Sequence, residues 1–477
     1  MRNGGRTIVL GLNLPMFVAG LVAMGMGTLV GMLGIWGAAA WGKPVPEWEK
    51  VGHAHSSWWG ILIMIASLVL PSLGLKPWVK KLIVAGTFVG PTLWIGVLAT
   101  YYEIGGPTLW RLEAPTAPGT YYDIPVIGLA ASGLELLGFV ALGLVALSAI
   151  GLNIPLLSTK EAPPKSRYEF LTEIQVPRRI FVVPTIAIIV SVLVGFALTA
   201  LFKAVHQPIS PSALVQLHDH AALLATSALL VLLVMHVFDV RERTRAIGIR
   251  LMEISLPLTI VGLLVFNLTG VHSIVWVAPA GIYYLLLLLA VPVSLGFYSW
   301  GEPPASGARV TAFNIALGVC FVGLVILVAT GAYIALNYDT TPNVTVTYKQ
   351  PQGSPYPGPY PAVYIGTAPA VNTPRGLENA HLSPGSWYHA AIAWLLILSM
   401  FGTVLIGEKR PGLLYLFAFT IPLAPTFNML GRFLAWLGIP NGIGALWFAG
   451  HPLKGFNLIS LFVITVIALI ILSRRRQ

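Results

Sequence analysis

The chain of 477 residues is 56% hydrophobic and only 9% charged, with a mean hydropathy of +0.81; a water-facing shell cannot be made from that composition, which excludes an ordinary soluble domain. A formal charge of +11 would raise nucleic acid or acidic ligands in a soluble protein, but here the cations lie between apolar runs and report topology instead. The single cysteine, Cys320, sits in an apolar stretch, which excludes a disulfide framework and a cysteine-ligated zinc or iron–sulfur centre built from this chain.

A bilayer crossing needs about 20 apolar residues. Cut by that rule, the sequence predicts twelve spans, near 7–41, 53–75, 79–101, 124–151, 180–203, 213–239, 248–270, 274–299, 309–337, 386–407, 411–436 and 455–473. This is an all-α integral membrane pattern in one polytopic domain. Arg2 and Arg6 lead into a run too long for a signal-peptide core, read here as the first transmembrane helix. With that end cytoplasmic, alternation brings 20 of the 28 Lys and Arg residues to one side, and the positive-inside rule then puts both termini in the cytoplasm. Two outward loops, 102–123 and 338–385, are rich in Pro, Tyr, Gly and Thr, and the second is long enough for a partner to dock on.

Three spans open alike. The segments "AHSSWWG", "DHAALLA" and "YHAAIAW" superpose on His55, His220 and His389, at intervals of 165 and 169 residues. Nine of the ten histidines (all but His236) are predicted at the outer face, and an ionisable side chain at membrane depth usually meets a cavity, a partner or a cofactor. Histidines two apart on a helix point about 200° apart, so one of each of the pairs His53/His55 and His218/His220 is expected to serve a site. The second is favoured, because Trp387 occupies the first position in the third copy. His236 lies about 27 Å deeper than His218 and is expected to be structural.

Two facing imidazoles suffice for a low-spin b-type haem and need no cysteine; three would also suit copper or zinc. Ser56, Ser57, Gly60, Ala221, Ala222, Ala390 and Ala391 leave room for a flat macrocycle, or simply let helices pack closely. Glu135 is a carboxylate deep in the fourth span, suited to an interhelical bond, a proton role or a quinone.

Twelve spans with recurrent histidines on the second, sixth and tenth resemble subunit I of the haem-copper oxidase superfamily. "FLAWLGIP" (433–440) and "FNLIS" (456–460) are similar to that family's eleventh-helix ending and twelfth-helix start. The resemblance implies three arcs of four helices, here pseudo-repeats near 1–151, 180–299 and 309–473. It implies His55 and His389 as axial ligands of a haem b near the extracytoplasmic side. His220, with His218 as the alternative, matches a copper ligand, leaving copper or a second haem open there. Arg432, Lys454 and His451 are candidate partners for haem propionates. The seventh span lacks an adjacent His-His pair, Trp387 stands where the family has its high-spin haem ligand, and Asn441 follows Pro440 in place of paired arginines. These departures argue against dioxygen reduction. The implied function is an electron-transfer subunit of a respiratory complex in the plasma membrane, contacting lipid and other subunits and supplied by quinol, an outer cytochrome or an iron–sulfur protein. The alternatives are a divergent terminal oxidase or nitric oxide reductase, and a histidine-lined carrier or scaffold without haem.

Overall fold

The computed structural model describes residues 7–31, 47–99, 125–152, 154–159, 166–205, 212–294, 308–337, 343–349, 363–369, 373–408, 410–439 and 446–474. Among them run twelve α-helices: α1 (Leu14–Val30), α2 (Glu47–Val69), α3 (Pro77–Ala99), α4 (Pro125–Ala149), α5 (Arg179–Val205), α6 (Ser212–Val237), α7 (Glu242–Thr269), α8 (Ile274–Ser294), α9 (Ala308–Leu336), α10 (Glu378–Ile406), α11 (Pro411–Trp436) and α12 (Leu446–Arg474). In the described residues nine helices, α2 and α5 to α12, are long and apolar enough to cross a membrane, while α1 and α4 contribute shorter apolar segments. The chain is a multi-pass, all-α membrane protein.

Several boundaries differ from the sequence reading: α2 begins at Glu47 and α12 at Leu446, ahead of the expected 53 and 455, and two further differences change what the segments contain. The expected first span begins as a strand, β1 (Thr7–Asn13), paired antiparallel with β2 (Glu169–Pro177). Asn13 starts the helix: its Oδ1 accepts the Met16 N–H at 3.0 Å, and Pro15 fills an early position where no amide hydrogen is required. The tenth helix also begins earlier than expected, at Glu378, and runs through Pro384. His381 is therefore a helical residue, two turns before His389. The loop preceding it contains an antiparallel hairpin, β3 (Asn343–Lys349) with β4 (Val363–Pro369).

The helices fall into three sets with one neighbour pattern. In α1–α4, α5–α8 and α9–α12 alike, the first helix packs on the second and third, and the third on the fourth. Each set buries its second helix most deeply. The spans His53–Ser72 of α2, Leu214–Val237 of α6 and Ala380–Ile406 of α10 are 78%, 83% and 72% buried, against 28% for Leu446–Arg474 of α12. The three helices that open with histidine are thus the centre of the bundle. α10 packs on both α2 and α6, and its Trp394 donates to Met64 Sδ of α2 at 3.2 Å.

Close backbone approach sets the spacing within the first set. A Cβ on Gly20 would stand 2.9 Å from the Gly60 carbonyl, and one on Gly60 would stand 2.8 Å from that of Gly20. Small residues let helices approach this way where no hydrophobic force distinguishes helix from lipid. At the end bearing β1 and β2, Glu169 joins several elements. Its Oε1 accepts from Asn13 Nδ2 at 3.1 Å and lies 3.5 Å from Lys80 Nζ, which also donates to the Pro71 carbonyl at 2.7 Å.

Candidate functional site

The central helices present their histidines through one repeated device. His53 Nδ1 donates to the Gly27 carbonyl of α1 at 2.6 Å, His218 Nδ1 to Ser191 of α5 at 2.7 Å, and His381 Nδ1 to Leu327 of α9 at 2.8 Å. In all three the accepting carbonyl is followed four residues later by a glycine lying against the same imidazole, Gly31, Gly195 and Gly331. The third counterpart of His53 and His218 is therefore His381, not Trp387. A carbonyl can only accept, so each Nδ1 carries the proton and each neutral ring keeps its lone pair on Nε2. That tautomer is the one a metal ligand needs, and the bond orients the ring as well. His220 and His389 reach the same state within their own helices, donating to Gln216 at 2.8 Å and Gly385 at 2.7 Å.

The sets then meet ring to ring. His55 Nε2 of α2 faces His218 Nε2 of α6 at 3.4 Å. The centroids are 5.6 Å apart, 2.2 Å more than the nitrogens, and the planes differ by 28°; the two nitrogens therefore lie near the line joining the rings. On the other side of α6, His220 pairs with His381 of α10, with centroids 6.4 Å apart and planes 21° apart. Trp276 of α8 packs edge-on to His220 at 5.2 Å. All four histidines are half-buried at the boundaries between helix sets. Asp219 lies between the two ligand candidates of α6, close enough to act electrostatically on both.

The expected axial pair of His55 and His389 is not how these rings are arranged. His389 is buried, its Nε2 forms a short contact with Ser227 Oγ of α6, and Trp58 packs edge-on at 5.3 Å. His389 lies on the same helix as His381 but eight residues further on, about 12 Å deeper. His218, the less favoured of its pair in the sequence, is the ring opposite His55. His236 bonds to its own helix at Leu232, 2.7 Å away, and His272 is exposed and accepts from the Ile274 N–H. His206 and Asn441 lie outside the described residues.

Within the last set lies a cluster of basic and aromatic side chains. Among the described residues Lys454 Nζ of α12 is buried without a hydrogen-bond partner, 4.4 Å from the centre of the Trp387 ring. Trp387 also meets His451 edge-on at 4.7 Å. Arg432 of α11 donates to Asn428 Oδ1 at 3.1 Å and lies over Trp447. Among the described residues these groups offer positive charge to an acidic group, such as a propionate.

The described residues supply imidazoles in facing pairs. Among the described residues no group of three or more His, Cys, Asp and Glu converges as a metal site, whereas protein sites for zinc and copper draw on about three or four such ligands. A haem brings four of its own donors and asks the chain for only two axial ones. Metal–imidazole bonds of about 2.0–2.1 Å laid end to end separate the nitrogens by about 4 Å, so the His55–His218 pair would open by about 0.6 Å to accept an iron. Gly195 supports the geometry, because a Cβ there would come 2.8 Å from His218 Cε1. Gly195→Val is expected to turn the His218 ring away from His55; under the haem reading proposed below, haem content per protein in purified samples then falls at least tenfold.

Comparison with protein-family models, curated proteins and solved structures returns no match to this chain. The chemistry of the site rests on its own residues. Ser191, Ser227 and the three ring-facing glycines escaped the sequence reading, since each acts across a helix boundary. Asp219 carried a visible signal, a carboxylate flanked by histidines in an apolar span.

Proposed function

We propose that the chain is a membrane cytochrome in which His55 and His218 are the axial ligands of a b-type haem. The observation carrying this reading is the head-on approach of their Nε2 atoms at 3.4 Å, with His218 locked by Ser191 into the metal-ligating tautomer. Bound there, a haem supplies a one-electron couple. The chain would hold the ligands in line between apolar helices, and Arg432 and Lys454 of the last set are candidate partners for its carboxylate groups.

The reading extends to twelve spans in three arcs, similar to haem-copper oxidase subunit I, in the plasma membrane with both termini cytoplasmic. Supporting it are the threefold neighbour pattern and the position of the histidine-bearing helices at the centre of each set. The role is electron transfer as one subunit of a respiratory complex, fed by quinol or by an outer cytochrome or iron–sulfur subunit. With Trp387 packed against Lys454 and His451, the described residues offer no high-spin iron ligand at that position.

The test is a pyridine haemochrome assay with absorption spectra on the full chain purified in mild detergent. A low-spin b-type spectrum unchanged by carbon monoxide is the expected result. A carbon-monoxide-sensitive spectrum would favour the divergent oxidase or nitric oxide reductase. Absence of haem would leave the second reading, a histidine relay without cofactor. That reading has its own support, because a protonated His55 Nε2 at 3.4 Å could donate to the lone pair on His218.

A further inference from the structure

We propose that Lys454, Arg432 and the Asn428 amide form a binding site for the phosphate of an anionic phospholipid, in the leaflet at the end of the bundle where α2, α6 and α10 begin. The inference goes beyond the haem reading and starts from two buried hydrogen-bond donors.

Lys454 Nζ and Asn428 Nδ2 are both buried without a partner among the described residues. The orientation of the Asn428 amide is fixed, because Arg432 Nε can only donate and the atom it meets at 3.1 Å must be the carbonyl oxygen. The amide nitrogen is thereby left to point elsewhere. A Cβ on Gly450 would stand 3.1 Å from the Asn428 main-chain nitrogen, and Lys454 follows Gly450 by one turn on the same face of α12. Both donors thus belong to the seam between α11 and α12. A buried ammonium and a buried amide left unsatisfied are costly, and one acceptor group of negative charge would satisfy the two together.

The surroundings select an anion. The charges that act on His451 are those of Lys454, Arg432 and His53, all basic. No carboxylate among the described residues acts on Lys454 or Arg432. Trp387 and Trp447 wall the cluster, with Lys454 over the first ring and Arg432 over the second. A phosphate diester brings one negative charge and several acceptor oxygens, which suits an ammonium beside a guanidinium.

Depth points to a lipid headgroup. Arg410 and Arg474 are exposed at the opposite ends of α11 and α12. Arg432 stands 22 residues after the one and Lys454 20 residues before the other, about 30 Å in each case, which is the thickness of a bilayer core. Both cations therefore lie at the level where hydrocarbon gives way to headgroups, with Trp447 and Trp387 as the aromatic residues expected there. The site is also at the rim: α12 is the least buried of the spans, and Phe448 and Phe456 on either side of Lys454 are exposed, an apolar surface for acyl chains.

The haem pair is on another side of α2. His53, which Lys454 reaches electrostatically, is two residues from His55 and points about 200° away from it. A helix about 10–12 Å across thus separates the cluster from the boundary between His55 and His218, so an acid other than a haem carboxylate is the better match.

The test counts phospholipid on the full-length chain purified in mild detergent, by phosphorus per protein after extraction and separation of the headgroups. The parent is expected to retain anionic phospholipid, Lys454→Met to retain one molecule fewer per chain, and Lys454→Arg to retain as many as the parent. Arg432→Gln is expected to lower the same count, and it serves where Lys454→Met yields no folded chain. After delipidation, phosphatidylglycerol in mixed micelles should raise the melting temperature of the parent by several degrees and leave that of Lys454→Met unchanged, while phosphatidylcholine and inorganic phosphate should do neither. Equal anionic phospholipid on parent and variants would overturn the site. Equal stabilisation by inorganic phosphate would overturn the lipid and leave a free anion. Unchanged phospholipid with a lost or shifted haem spectrum in Lys454→Met would give the cluster to haem carboxylates instead.

Discussion

His218→Ala is expected to abolish the low-spin signal of the haem proposed between His55 and His218, while His389→Ala leaves that signal in place. The contrast is large because the two residues make different contacts. His218 offers Nε2 to the boundary between helix sets, facing His55 at 3.4 Å; no other ring among the described contacts takes its place. The His389 Nε2 is occupied by Ser227 inside the bundle. Removing an axial ligand should lower haem content at the site more than the 10- to 100-fold typical of an outer-shell partner. Removing His389 costs packing and leaves the Ser227 hydroxyl its bond to the Leu223 carbonyl. Absorption spectra of the two variants, normalised to protein, check both halves. Retention of the signal in His218→Ala together with its loss in His389→Ala would restore the pairing expected from the sequence and refute the one proposed here.

Glu169→Ala is expected to destabilise the protein by about 3–5 kcal/mol, the usual effect of removing one partner from a buried ion pair. Its side chain is 9% exposed and that of Lys80 8%, so water does little to compensate for the change. The loss strands the Lys80 ammonium on the Pro71 carbonyl alone and frees the Asn13 amide. Asn13 is also the cap of α1, so the damage reaches the first helix. The double variant Glu169→Leu with Lys80→Met should recover most of the loss, since a well-packed apolar pair can match a buried ionic one. Thermal unfolding in detergent, followed by intrinsic fluorescence, measures both. A double variant no more stable than the single one would show that the pair stabilises by more than avoiding a stranded charge.

Much of the helical framework was legible from hydropathy, because bilayer thickness imposes a length on every apolar run. What hydropathy cannot see is a change of backbone state inside such a run. Thr7 to Asn13 is as apolar as the helix after it, and only the Asn13-Leu14-Pro15 start signal marks the transition. In the opposite direction, the first turns of α10 accommodate Pro384 in a stretch whose composition reads as loop. The histidines were legible as a group but not in their pairing. Residues two apart on α6 meet different neighbours, His218 facing His55 of α2 and His220 facing His381 of α10, so neither ring is left pointing at lipid. Ring pairing depends on how helix sets abut, and no local spacing in one chain segment encodes that. The eight-residue interval between His381 and His389 also hid the third copy of the repeated device.

That device bears on how the protein is assembled. The hydrogen bonds that orient His53, His218 and His381 run to main-chain atoms of α1, α5 and α9, and each is made as soon as those helices lie against α2, α6 and α10. These three rings, the proposed ligand His218 among them, are aimed by helix packing itself. Each ring is then fixed by the pairing of two consecutive helices of its own set, so its orientation is settled during assembly of that set and does not wait on anything bound later.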